Sequence, residues 1–269
     1  MRYLRVVVLG QIGPRKMARG TLKRGQTTKI GSVAMARAML QKLLEVHGQK
    51  YSELLGIDIS SGKEEEVFKW FLASILFGAP ISETSAIKTY RCFEKHGAIT
   101  PQRIVAKGWN GLVKILDEGS YTRYDFKTAD KLLEVMGNLL ERYGGNINSL
   151  HAQADDPKDL EIRLKSLGKG IGDVTVSIFL RELRGIWKKA DPRPTPLVVL
   201  GARNLGIIKT GDQSKALLEL KEFWRKNKPL KGDFIEFETA LLRFGKLCRK
   251  GKCDKRLIYG NCTRHQSVG

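Results

Sequence analysis

The chain has 269 residues, 42% of them hydrophobic, enough to bury a substantial core in one larger domain or two interleaved lobes. Lys and Arg outnumber Asp and Glu by 48 to 28, a formal net charge of +20 that favours a polyanionic partner, either nucleic acid or an anionic membrane surface. No run approaches the ~18 apolar residues of a membrane-spanning helix, and the opening "MRYLRVVVLGQIGPRK" has too short an apolar part for a secretion signal. The expectation is therefore a protein that is not secreted, cytoplasmic (nucleoid-associated) or nuclear, with no membrane partner and with nucleic acid favoured.

In chain order, residues 1–32 combine a short β-like run at 6–9 with the Gly- and Lys/Arg-rich stretch "GPRKMARGTLKRGQTTKIG". This reads as an irregular basic arm, laid on a phosphate backbone or simply solvated. It has no GxxxxGK[ST] pattern and is not a Walker loop. From Val33 the pattern turns helical: "VAMARAMLQKLLEVHG" sets Ala34, Ala38, Leu40, Leu43, Leu44 and His47 largely on one face and stops at Gly48. "EEEVFKWFLASILFG" opens on three glutamates, which suit the positive end of a helix, and closes at Gly78 and Pro80. "SETSAIKTYRCFEKHG" has Ser82 as its cap and Gly97 as its stop. "TPQRIVAKG" starts on the cap pair Thr100–Pro101. "DFKTADKLLEVMGNLLERYGG" is amphipathic through Leu132, Leu133, Met136, Leu139 and Leu140. The segments "DPKDLEIRLKSL", "DVTVSIFLREL", "TPLVVLGARNLG", "DQSKALLELKEFWRK" and "DFIEFETALLRFGKLC" complete a succession of helices with short connections. Almost no alternating pattern is present, and the predicted class is all-α.

The glycines of "LKSLGKGIGDVTVSIFL" ask for an explanation. A dinucleotide fingerprint needs a buried strand ahead of its glycines, whereas Leu160, Leu164 and Leu167 are spaced for a helix. A helix leads in and a helix leads out. The glycines permit a tight turn and leave backbone N–H groups uncovered for a phosphate oxygen, with the dipole of the following helix adding to the attraction.

These residues resemble the hairpin of the helix-hairpin-helix DNA glycosylase superfamily, the endonuclease III-like group. Gly170-Ile171-Gly172 and Thr175 match its Gly-hydrophobic-Gly-x-x-Thr core. In order along the chain, "FLASILFGAPISETSAIKTY" is similar to the family's early helix and lesion-side loop, and "YDFKTADKLLEVMGNLLERYGG" to its Lys-x-Ala helix. "VVLGARNLG" is similar to the segment after its catalytic aspartate, and "LLRFGKLC" to the helix leading into its cysteine loop. The resemblance implies a two-lobed helical fold around a central cleft. One lobe is a helical barrel at 60–189 carrying the hairpin at 160–183. The other joins 33–59 to 190–247, and a basic Cys-containing loop follows at 248–269. It implies a base-excision-repair enzyme that flips a damaged or mismatched base out of double-stranded DNA and removes it, acting as a monomer. Gly168, Lys169, Gly170, Ile171, Gly172, Asp173 and Thr175 are the implied DNA-binding set, with a monovalent cation at the hairpin carbonyls.

The chain departs from the family at chemically important places. Val174 stands where bifunctional members carry a nucleophilic lysine, which points to a monofunctional enzyme. Ungapped counting places Thr195 at the catalytic aspartate, and Asp191, four residues earlier in "KKADPRPTP", is the candidate acid, the alternative being a turn cap before Pro192. Ala79 falls at the glutamine that fills the gap left by a flipped base. Cys92, isolated in a helical segment, reads as a core residue. Cys248, Cys253, Cys262 and His265 form C-x4-C-x8-C-x2-H. That is a donor set suited to tetrahedral zinc, while Arg256 at a cluster-ligand position argues against [4Fe–4S]; a metal-free basic loop is the other reading. Trp70, Trp109, Trp187, Tyr121 and Tyr124 are the aromatics available for base stacking or for packing. The rivals to an excising enzyme are a non-catalytic DNA-binding protein and an abasic-site lyase using another lysine.

Overall fold

A computed structural model describes residues 24–254, and among these every regular element is helical. The α-helices are α1 (Arg24–His47), α2 (Tyr51–Leu55), α3 (Glu64–Phe77), α4 (Glu83–Lys95), α5 (Pro101–Glu118) and α6 (Asp125–Tyr143), then α7 (Ile147–Gln153), α8 (Pro157–Lys165), α9 (Asp173–Glu182), α10 (Pro196–Asn204), α11 (Gln213–Asn227) and α12 (Phe234–Arg249); a 3-10 turn at Ile59–Ser61 lies between α2 and α3. The starts follow from local chemistry. Ser82, Thr100, Asp156, Thr195 and Asp212 each accept a backbone N–H three residues on. Asp233 and Glu236 cap one another reciprocally, which satisfies donors that have no intrahelical partner.

Helix α3 is the axle. Val67, Phe68, Trp70, Phe71, Leu72, Ala73, Ile75 and Leu76 are all buried, the all-round apolar surface of a helix enclosed by others. It packs against α4, α7 and α9, and the Trp70 indole donates to the Phe179 carbonyl at 3.0 Å, tying α3 to α9. The α5–α6 pair is extensive, as is α10 on α12, while α1 packs on α11 and α12. One continuous apolar core runs from Met39 through Trp70, Leu132 and Phe179 to Phe244. The α10–α12 crossing is unusually close because glycines face backbone: a Cβ on Gly245 would stand 1.9 Å from the Leu197 carbonyl oxygen, and one on Gly201 2.3 Å from that of Leu241.

Several expectations need correction. The last nine residues of the arm at 1–32 are not irregular, since α1 begins at Arg24; the β-like run at 6–9 lies outside the described residues. Ala34 and Ala38 are exposed, because burial on α1 begins only at Met39, Leu40 and Leu43. The helix that starts at Thr100–Pro101 runs past Gly108. That glycine takes φ +62° and breaks the helix, which then resumes to Glu118. Helices α2 and α7 are additional, the latter started by Asn146, whose side chain accepts from Asn148 and Ser149 N–H.

Candidate nucleic-acid interface

Helices α8 and α9 form a hairpin with its turn at 166–172. Leu160, Leu164 and Leu167 are buried, as their spacing predicted, and Ile171 is the apolar plug of the turn. Ile171 N–H donates to the Gly168 carbonyl at 3.2 Å, closing the turn. Gly170 has φ +88°, a conformation that glycine adopts without strain. Gly168 is pressed onto α6, where a Cβ would come within 2.8 Å of Val135 Cγ2. Nothing stands within 4 Å of a Cβ on Gly172, the N-cap of α9. The N–H groups of Gly170, Gly172, Asp173 and Val174 meet no protein acceptor among the described residues, so the turn and the first turn of α9 present uncovered donors at a helix N-terminus.

The members of the predicted DNA-binding set divide in two. Lys169, Gly170, Gly172 and Asp173 are exposed on the turn. Ile171 and Thr175 are buried, and act from inside: Thr175 sits against Gly78 at the end of α3, where a glycine Cβ would meet its hydroxyl at 2.2 Å. The side chain of Asp173 is engaged, its carboxylate pairing with Lys165 Nζ at 2.5 Å across the hairpin, so its N–H is what remains to offer. From α6, Glu134 accepts the Lys169 N–H at 3.0 Å and Asn138 donates to the Leu167 carbonyl at 2.8 Å, fixing the turn to that helix.

Beside the hairpin opens a cleft of about 650 Å³, walled by α8 (Lys158, Glu161, Lys165), the N-terminal half of α9 (Asp173, Val174, Ser177), the loop at 191–195 and Gln213. Asp191 lies on this wall, and Val174 is exposed. The loop is fastened at several points. Ser177 Oγ donates to the Arg193 carbonyl at 3.3 Å, Gln213 Nε2 donates to that of Pro194 at 2.9 Å, and Arg184 Nη2 to that of Pro192 at 2.5 Å. Asp191 itself is half-exposed and pairs with Arg184 Nη1 and with Lys221 Nζ at 2.7 Å. Arg184 also donates through Nε to the buried Glu238 at 3.0 Å, so the cleft carboxylate is a middle member of a chain Glu238–Arg184–Asp191–Lys221. Thr195 is buried and caps α10.

Arg184, Lys221 and Glu238 had no signal in the sequence. Neither did a polar knot centred on Tyr51. Glu182 accepts the Tyr51 and Ser52 N–H groups at 3.0 Å each, the Tyr51 hydroxyl donates to Glu83 at 2.8 Å, and Arg243 lies over the Tyr51 ring at 4.3 Å. Burial, and then the nearby Glu83 charge, push the phenol pKa up; burial pushes the neighbouring Lys246 ammonium down. This knot joins α2, α4, α9 and α12.

Cys248 and Cys253 are partly buried against the core, but Cys262 and His265 lie outside the described residues, so the four-donor set is not assembled within them. Among the described residues no group of His, Cys, Asp and Glu is disposed to hold a metal, and no helix is long and apolar enough to cross a membrane. Comparison of the chain with protein-family models, with curated proteins and with solved structures finds no match in any of the three.

Proposed function

We propose that this protein is a monofunctional DNA glycosylase of the helix-hairpin-helix class, with the two-lobed fold of that class, acting as a monomer on double-stranded DNA. One observation carries the reading: Asp191 lines the same cleft as the exposed first turn of the hairpin's second helix. A phosphate held by the uncovered N–H groups of the turn positions the strand without reading its sequence. The nucleotide next to it, flipped into the cleft, brings its sugar to the wall that carries Asp191. As the N-glycosyl bond breaks and the base leaves with the bonding electrons, taking up a proton from solvent, positive charge grows on the sugar; the carboxylate stabilises it and accepts a proton from the water that adds at C1′. Arg184 fixes the carboxylate from beneath, and the exposed Lys221 is the partner that an entering substrate displaces. Val174 offers no amine, so the product is an intact strand with an abasic site. A monovalent cation at the turn carbonyls and zinc at the C-terminal donors belong to the same expectation and carry no step.

A second reading, a non-catalytic DNA-binding protein, is favoured by the double pairing of Asp191 and by the hydroxyl rather than acid that caps α10. Single-turnover assays on duplexes each carrying one modified or mismatched base, developed with alkali, separate the two. The enzyme reading expects excision of at least one base, slowed about a hundredfold in Asp191→Asn, as for loss of one charge-stabilising group. Excision unchanged in Asp191→Asn removes that residue from the mechanism. Duplex binding with a steep salt dependence and no excision selects the second reading.

A further inference from the structure

Helix α11 leads away from the cleft, and its charges are uneven around the helix axis. Gln213, its first residue, lines the cleft, and Lys221 pairs with Asp191 at 2.7 Å, so the side carrying Lys221 meets the cleft. At helical spacing Ser214, Leu218, Lys221, Arg225 and Lys228 fall on that one side, which holds no acid. The acids of α11, Glu219 and Glu222, stand on the adjoining side and are engaged. Glu222 pairs with Lys226 at 2.5 Å, and Glu219 accepts the Lys209 N–H at 3.2 Å. Beyond Lys221 the row is unpaired. Arg225 and Lys228 are exposed and have no acidic partner among the described residues, and neither has Lys231 in the loop that follows.

That loop, at 228–232, presents Leu230, the most exposed large apolar side chain among the described residues. Both of its ends are pinned. Buried Asn227 donates to the Phe223 carbonyl at 2.9 Å, and the Lys228 N–H to that of Trp224 at 2.7 Å. At the far end Gly232 is pressed onto α1, where a Cβ would stand 2.6 Å from Leu44 Cδ1, and Asp233 pairs with Lys50 at 3.1 Å. Residues 225–232 hold Arg225, Lys226, Lys228 and Lys231 and no acid. An open leucine among unpaired cations suits a polyanion with an apolar recess, as in a duplex groove bounded by its phosphates. A lipid surface would match the loop alone, whereas the row running back to the cleft carboxylate matches a strand. The reach agrees: Lys228 lies seven residues beyond Lys221, about 10 Å along the helix axis, or roughly three nucleotide steps of one strand.

We propose that the Lys221 side of α11 and the loop after it form a second duplex contact, with Arg225, Lys228 and Lys231 on phosphates and Leu230 in the groove between them. The proposal rests on the DNA-binding part of the proposed function. Fluorescence anisotropy of a labelled blunt duplex across a salt series tests it. Arg225→Gln/Lys228→Gln is expected to weaken binding at moderate salt about tenfold or more, and to reduce the slope of log affinity against log salt by about two phosphate contacts. The matched variant Lys215→Gln/Lys226→Gln, on the adjoining side, keeps the wild-type slope. Leu230→Ser is expected to lose about fivefold in affinity, for partial burial of one leucine, with the slope unchanged. All five side chains are exposed, so the variants should melt with the wild type. Wild-type affinity and slope in Arg225→Gln/Lys228→Gln, or an equal loss of slope in the matched variant, overturns the proposal and leaves the hairpin reading standing. Loss of binding to phosphatidylserine vesicles in Arg225→Gln/Lys228→Gln, with duplex affinity unchanged, gives the surface to a membrane and also overturns it. A wild-type protein that binds no duplex removes both readings.

Discussion

Arg184→Met is expected to lower the unfolding free energy by about 3–5 kcal/mol, the usual consequence of breaking a buried ion pair from one side. The methionine fills much of the space of the arginine stem but leaves Glu238, 2% exposed, with neither of the two hydrogen bonds that Arg184 supplies. It also removes the donor to the Pro192 carbonyl, and with it one of the anchors of the loop carrying Asp191. Urea unfolding reads the loss. The double variant Arg184→Met/Glu238→Gln removes the unpaired charge together with its partner and should recover a large part of it. A single-variant loss under ~1 kcal/mol would mean that Glu238 does not depend on this partner.

The second large effect belongs to the α10–α12 crossing. Replacing a glycine by alanine inside a helix ordinarily stabilises by about 0.5–1 kcal/mol. Gly137, in α6, has nothing within 4 Å of a would-be Cβ, and Gly137→Ala is expected to follow that rule. Gly245→Ala is expected to invert it, costing about 3 kcal/mol. Its Cβ would lie 1.9 Å from the Leu197 oxygen and 2.9 Å from the Leu197 carbonyl carbon, both backbone atoms that no side-chain rotation can move. The two helices must separate, and the contacts of Val198, Val199, Leu241 and Phe244 loosen with them. Thermal melts of the two variants should shift in opposite directions; a neutral or stabilising Gly245→Ala would show that the crossing is looser than described.

What could be read from the sequence was local. Thr100–Pro101, Asp156–Pro157 and Thr195–Pro196 start helices by a cap and a fixed φ that need no distant partner, and all three do so here. The hairpin was legible for the same reason: helical spacing of leucines on one side and glycines in the turn specify it within a few residues. Short helices were not. Ile147–Gln153 offers too few turns for a periodicity, and Gly108 looks like a stop because a left-handed residue there does end one helix before another begins. Ala34 and Ala38 fit an apolar face that no neighbour covers along its first half. Of the residues around Asp191 in the cleft, the sequence named few. Asp191 was singled out through the family resemblance, four residues before Thr195, yet what holds it, Arg184 just after α9, Lys221 on α11 and Glu238 on α12, meets only through the whole core. The contact of Trp109 with Phe126 is a tertiary product too, since the rings meet through the α5–α6 packing.

The measurement that bears most directly on the hairpin as a phosphate site is the salt dependence of duplex affinity in Gly172→Asp. Gly172 has an extended backbone, φ −101° and ψ −175°, with open space around it, so aspartate fits. As an N-cap, aspartate accepts the free N–H groups of α9 and is expected to leave the melting temperature unchanged or slightly raised, a few tenths of a kcal/mol in stability. The same carboxylate occupies the place of the phosphate. Affinity at moderate salt should fall about tenfold, and the slope of log affinity against log salt should decrease by about one phosphate contact. An equally stable Gly172→Asp protein that binds duplex DNA with the wild-type affinity and slope would contradict the hairpin's role.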